Sequence, residues 1–238
     1  AWEPATNGLF TVSLSNPVSI DTEVSYTISG IAIEGVDYLN LSGTVTIPAN
    51  TLTNTIVVPV IDDNVVENDE SVIITLSNTN NSVTVVSTVG YEAVINISDN
   101  DVASITIDNV SIHEDNLSGE VIFTVTLFGT LQDAFSIDYE TVDGTATLTD
   151  NDYVSGSGTL IFNPGENSKT ITVVVNPDKK VELDETFTAE LSNPTTNGRN
   201  ITIDTASGTG TIQNDDHAPV VADINKAGTE DNQVLFVN

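Results

Sequence analysis

Apolar and polar residues alternate along this chain in short runs. Phe10, Val12 and Leu14 share one parity, as do Val45 with Ile47, Ile56 with Val58 and Val60, and Val72 with Ile74 and Leu76. A period of two puts these side chains on one face of an extended segment and their polar neighbours on the other, the pattern of half-buried antiparallel strands. Between the runs stand "SNP", "PAN", "NPG" and "TNG", where Gly, Asn and Pro supply the dihedral angles of tight reversals. Val, Ile and Thr dominate and aromatic residues make up only 5% of the chain, which is strand composition. Roughly seven short strands in about 100 to 115 residues predict a β-sandwich of immunoglobulin-like type.

The pattern occurs twice. "TIVVPVIDDNVVENDESVIITLSN" (Thr55 to Asn78) lies over "TITVVVNPDKKVELDETFTAELSN" (Thr170 to Asn193) at an offset of 115. The same offset sets "GVDY" on "DNDY", "GTVTIPAN" on "GTLIFNPG" and "INISDND" on "GTIQNDD". Nearer the start of each copy "FTVSLS" (Phe10 to Ser15) meets "FTVTLF" (Phe123 to Phe128) at 113, so a two-residue length change falls in an intervening loop. The expectation is an all-β chain of two tandem immunoglobulin-like antiparallel β-sandwiches arranged end to end, over residues 1–101 and 102–216. The strand-like run "ASITIDNVSI" (Ala103 to Ile112) has no counterpart in the first copy, which therefore lacks its opening strand. Residues 217–238, "HAPVVADINKAGTEDNQVLFVN", read as a linker and the start of a further module.

Charge changes the picture. The formal net charge is −30, from 35 acidic residues against 5 basic ones, and residues 1–101 hold 13 acids and no base. Such a surface repels phosphate backbones and anionic lipid, which argues against nucleic-acid partners and electrostatic membrane docking, and it opposes close self-association without divalent ions. Cations are the natural partners. Cysteine is absent, which removes disulfides and thiolate chemistry. No apolar run is long enough to insert directly into a bilayer, and "AWEPATNGLF" lacks the features of a signal peptide, so the chain reads as a segment of a longer polypeptide.

The acids concentrate where strands end: Glu3, Asp37, the run "DDNVVENDE" from Asp62 to Glu70, and Asp99 with Asp101. Alternate loops of a sandwich gather at one end, so these segments can share one small volume. Two like charges ~4 Å apart cost about 4 kcal/mol at an effective dielectric near 20, a large part of a small domain's stability. Composition leaves two readings open: a solvated acidic loop, or a cation site whose supply of carboxylates, Asn amides and carbonyls, without Cys or His, favours Ca²⁺. The spacing of an EF-hand loop does not occur.

"DGTATLTDNDYVSGSGTLIFNPGENSKTITVVVNPDKKVELDETFTAELSNP" resembles the Calx-beta domain, the module of sodium–calcium exchanger regulatory loops, an integrin cytoplasmic region and many large bacterial surface proteins. The matching motifs are "DGTA", the "DY" turn, "GTLIFNPGE", the V-E-x-DE-x-F run and a terminal I-x-N/D-D/N-D, and they recur across both copies. The resemblance implies a sandwich whose distal loops bind several Ca²⁺ near the junction with the next domain. Carried over position by position, it implies Glu3, Asp37, Asp62, Asp63, Glu67, Glu70, Asp99 and Asp101 as ligands in the first copy, with Val65 contributing its backbone carbonyl. In the second copy Pro177 replaces the first Asp of the pair, and Lys179 and Lys180 enter the acidic run. Glu114, Asp152, Asp178, Glu182, Glu185, Asp215 and Asp216 remain there, which implies fewer or weaker ions.

Catalysis is not expected. Neither His113 nor His217 lies in a catalytic motif, and no nucleophile elbow, phosphate loop or His-Glu-x-x-His occurs. The functional expectation is a calcium-binding structural module of a large secreted or cell-surface, adhesin-like bacterial protein, in which Ca²⁺ stiffens the junctions between neighbouring domains of the same chain. Other cell-surface proteins or glycans are candidate partners of such a stalk. The alternative is a calcium-sensing regulatory region that changes its inter-domain angle on binding Ca²⁺.

Overall fold

A computed structural model describes residues 1–3, 6–80, 91–114 and 119–221 of the chain. Residues 222–238, most of the segment read as the start of a further module, lie outside the described residues. The described residues form strands only, and no helix among them is long and apolar enough to cross a membrane.

The first copy contributes β1 (Gly8–Ser13), β2 (Thr22–Gly30), β3 (Thr44–Ile47), β4 (Thr53–Val58), β5 (Val65–Val66), β6 (Glu70–Thr79) and β7 (Glu92–Ile97). The second contributes β8 (Ala103–Ile107), β9 (Val110–His113), β10 (Gly119–Phe128), β11 (Thr130–Leu131), β12 (Phe135–Asp143), β13 (Ser157–Phe162), β14 (Ser168–Val175), β15 (Glu185–Ser192), β16 (Ile201–Ile203) and β17 (Ser207–Gln213). In the first copy β1 pairs with β4, facing a sheet of order β3-β2-β6-β7. In the second, a sheet of order β14-β10-β8-β16 faces one of order β13-β12-β15-β17-β9.

The alternation read from the sequence is the alternation of burial. In β1 Phe10 and Val12 point inward and Leu9 and Thr11 outward. Each copy encloses its own apolar cluster, around Ile47, Val58 and Val72 in the first and around Phe123, Ile137 and Phe187 in the second. The registers agree between copies: Phe10 opposes Ile56 as Phe123 opposes Ile171, and Tyr26 opposes Leu76 as Tyr139 opposes Leu191. Gly30 opposes Val72 as Asp143 opposes Phe187, so the two-residue length change falls in the turn after β2. Asn50 and Gly165, equivalent in the repeat, both take left-handed backbone (φ 62° and 82°) in the turn that follows β3 and β13. These are two of the few residues that tolerate that conformation.

One expectation is corrected. The run at Ala103–Ile112 is not a single strand but two, because the chain leaves one sheet at Asp108–Asn109 and joins the other. β8 then runs parallel to β16 and β9 parallel to β17. The crossing is held by side chains that substitute for ladder partners: Asp108 accepts from Thr124 N at 2.7 Å and Asn109 from Thr209 N at 2.7 Å. In the first copy the parallel bridge between Trp2 and Ser98 occupies the place of the β9–β17 pairing.

The Phe187 ring stacks on Tyr153 at 4.4 Å and meets Phe123 edge-on at 5.9 Å. Phe187→Ala is expected to destabilise the protein by about 3–5 kcal/mol, read from the urea midpoint of intrinsic fluorescence or circular dichroism, because the two flanking rings cannot collapse into the void.

Candidate metal centre

The "DY" turn builds the first part of the site. Asp37 folds back so that its carboxylate accepts the backbone N–H of Ile33, while Ile61 N donates to Asp37 O at 2.9 Å. Tyr38, fully buried, anchors the turn by a bridge to Val60. The repeat reproduces this: Asp152 accepts from Thr147 N at 2.7 Å, Asn176 N donates to Asp152 O at 2.9 Å, and Tyr153 bridges to Val175. The aspartate is thus set at the mouth of the acidic run by backbone bonds that do not depend on an ion.

The acidic run and the terminal turn complete the site. Asp63 Oδ1 accepts from Val65 N at 2.7 Å, Asp99 Oδ2 from Glu67 N at 3.0 Å and Asp99 Oδ1 from Asp101 N at 3.0 Å. Two carboxylate groups result, Glu3 with Asp99 and Asp101, and Asp37 with Glu67 and Glu70, each with its ligand oxygens within 4.8 Å of one another. In the second copy Glu114, Asp178 and Glu182 form one group and Asp152, Glu182 and Glu185 another. Asp62 and Asp63 join neither group, yet their charges reach Glu3. Val65 lies in β5, and Asp215 is exposed and joins no group among the described residues.

These carboxylates are short of compensation. Glu3, Asp37, Glu67 and Glu70 are buried, and no cationic side chain pairs with them among the described residues. Burial, with the charges of Asp99, Asp63, Asp101 and Asp62, raises Glu3 to about 7. Burial and the neighbouring Asp37 and Asp63 raise Glu67 to about 7, and burial followed by contact with the Asp37 carboxyl raises Glu70 to about 8. Glu3 Oε2, Glu70 Oε2 and Asp101 Oδ2 are buried without a donor among the described residues. An all-oxygen set with orphaned lone pairs fits a hard divalent cation and offers nothing to a soft one.

The second copy meets the same problem differently. Lys180, equivalent to Val65, sets its ammonium 3.0 Å from Glu182 and 3.8 Å from Asp178. Asn214 replaces Asp99: its Oδ1 accepts from Asp216 N at 3.2 Å, keeping the turn while removing a charge. Asp216 Oδ2 is still buried without a donor. Burial and the charges of Asp152 and Glu182 raise Glu185 to about 7. Asn214 is absent from the sequence-based candidates, although the overlay of "INISDND" on "GTIQNDD" carries the signal.

A second residue escaped the sequence reading because it belongs to the other module. Gln132, just after β11, donates from Nε2 to Glu67 Oε1 at 2.9 Å and Glu70 Oε1 at 3.3 Å. It arrives there because β11 pairs in parallel with β5, and Val66 is buried in the apolar cluster of the second copy.

The profile of the Calx-beta domain matches residues 3–101 and again 98–217. The chain belongs to the Calx-beta domain family, and its cofactor is Ca²⁺. It is 30% identical over 197 residues to sodium/calcium exchanger 1 of Rattus norvegicus, an alignment that covers 76% of this chain and 20% of the relative. The chain thus spans about a fifth of the length of that relative. Among solved structures it is similar to the apo-form Calx CBD1 domain, at 28% identity and TM-score 0.44 over 49% of this chain and 100% of that one. It is also similar to CBD12 from CALX1.2, at 20% identity and TM-score 0.39 over 89% and 94%.

Without metal, folded Glu3, Glu67, Glu70 and Glu185 hold protons more tightly than at their ordinary value of 4.5. At these four groups the folded state then binds more protons than the unfolded one, so their contribution to stability is fully present at and below that value and is lost as pH rises through about 7 to 8. The melting temperature in chelator is expected to be higher near pH 5.5 than near pH 8, with excess Ca²⁺ removing the difference. Lys180→Ala is expected to raise the second copy's affinity for Ca²⁺ by roughly two- to fivefold, the scale of an exposed ion pair, as measured by calorimetry.

Proposed function

We propose that this chain is a calcium-sensing regulatory tandem in which Ca²⁺ bound by the first copy fixes how the second copy is seated. The observation that carries the reading is the placement of β5. The centre of the acidic run 62–70 is inserted in the core of the following module, so the ligands and the docking segment are one stretch of chain. An ion there neutralises the repulsion that loosens the loop and thereby stabilises its docked form; by linkage, docking raises affinity for the ion.

The ligands in this reading are Glu3, Asp99 and Asp101 with Asp62 and Asp63 on one side, and Asp37, Glu67 and Glu70 on the other. Val65 supplies its carbonyl. In the second copy Glu114, Asp152, Asp178, Glu182, Glu185 and Asp216 hold fewer or weaker ions, with Asp215 outside. The module boundaries are 1–101 and 102–216, with 217–238 leading onward. Similarity to sodium/calcium exchangers supports the regulatory reading over the secreted, adhesin-like stalk, and it favours a membrane-associated parent protein over a bacterial surface one. The partners are then calcium and the neighbouring domains of the same chain.

Calorimetric titration of chelator-stripped protein is expected to give Ca²⁺-selective heat with Kd in the ~10⁻⁷ to 10⁻⁵ M range of sensors. Mg²⁺ should not reproduce it, and Asp62→Ala with Asp63→Ala should lower the affinity at least tenfold. Affinity only in the ~10⁻⁴ to 10⁻³ M range would favour the stalk.

A further inference from the structure

Gln132 is the one side chain of the second module that hydrogen-bonds into the first module's carboxylate groups among the described residues. Its seat is firmly built. Gln132 N donates to Val66 O at 3.3 Å, and the preceding Leu131 is buried. The next two residues are gripped by Arg199, itself only 4% exposed, whose guanidinium donates to Asp133 O at 2.7 Å and Ala134 O at 2.9 Å. Arg199 spends its charge on backbone carbonyls, and its remaining bond, from Nε, goes to Thr196 O at 3.2 Å. The effect is to hold rigid the corner that presents Gln132.

The pocket that Gln132 enters is itself incomplete. Asp37, Glu67 and Glu70 are buried together, and Glu70 Oε2 has no donor among the described residues. A primary carboxamide suits such a place in two states, because its NH₂ and C=O ends have nearly the same shape and opposite polarity. With the NH₂ end inward, as in this structure, it donates to two carboxylates. A cation bound by those same oxygens would repel the NH₂ end, and a half-turn about the last side-chain bond would offer an oxygen of the kind Ca²⁺ accepts.

We propose that Gln132 is a calcium ligand supplied in trans, which makes the Asp37, Glu67 and Glu70 pocket complete only when the second module is docked. This rests on the calcium reading above. The first module's loop alone then forms a weaker site, and the amide end that faces the pocket reports its occupancy.

The test is calorimetry with Ca²⁺ on the whole chain and on Gln132→Leu and Gln132→Glu, with ¹⁵N spectra of the Gln132 side-chain amide before and after Ca²⁺. The expected result is about a tenfold loss of affinity for Gln132→Leu, the scale of losing one supporting group at a metal site. Gln132→Glu should retain or exceed wild-type affinity, and the wild-type NH₂ resonances should shift at saturation. Gln132→Leu binding Ca²⁺ as tightly as wild type, or more tightly, would overturn the ligand role while leaving the calcium reading intact, since an amide that only donates competes with the ion. Equal losses in both variants would assign Gln132 to docking alone and overturn it as well. Absence of Ca²⁺ heat in the wild type would overturn both readings.

Discussion

Repulsion among buried carboxylates is the constraint on which the arrangement of this protein turns. Two sandwiches of ordinary construction meet at the end where the first collects its acids, and those acids are removed from water with no cationic side chain paired to them among the described residues. Neighbouring charges in such a setting cost on the order of several kcal/mol, comparable with the margin by which a domain is stable. The backbone holds them there regardless. Asp37 is tied to Ile33 and Ile61, and Asp99 to Glu67 and Asp101, so the strain is built into the turns and awaits a counter-charge. Protons supply part of it near neutrality, which is why Glu3, Glu67 and Glu70 are raised. A divalent cation supplies it more completely.

The two copies show two answers on one scaffold. The first keeps its negative charge and places a Val in the run, and that Val66 becomes part of the next module's core. The second, at the equivalent positions, carries Lys180 and the half-exposed Val181, turns Asp99 into Asn214 and loses an acid at Pro177. A fixed ammonium neutralises without regard to ionic conditions, whereas an open oxygen site is neutralised only when an ion is present. On the proposed reading the first copy is therefore the more responsive of the two, and its site lies at the junction with the second.

Much of this was legible beforehand for a definite reason. Strand alternation is a local property, so Phe10 to Leu14 or Val72 to Leu76 declare their inner face without help from the rest of the chain. The repeat then doubles the information, and equivalent turns such as those at Asn50 and Gly165 agree. What stayed hidden depends on contacts between distant segments. The break at Asp108–Asn109 leaves the apolar alternation almost undisturbed, because both halves are strands and only the sheet changes. Gln132 is 65 residues from Glu67 and belongs to the following module, so no pattern within one module marks it. Within the volume that the acidic loop ends were expected to share, the carboxylates fall into two groups, linked by the Asp99 to Glu67 N bond.

On the regulatory reading, neutralising the first copy's acids and docking the second copy are one event. Amide hydrogen exchange at Val66 and Gln132 tests it directly, since Val66 is buried in the second copy's core and Gln132 N donates to Val66 O across the parallel pairing between the modules, contacts that open when the modules part. Saturating Ca²⁺ is expected to slow exchange at both amides together, and Mg²⁺ at the same concentration is not. Exchange at these amides that is indifferent to Ca²⁺, while the ion demonstrably binds, would contradict it.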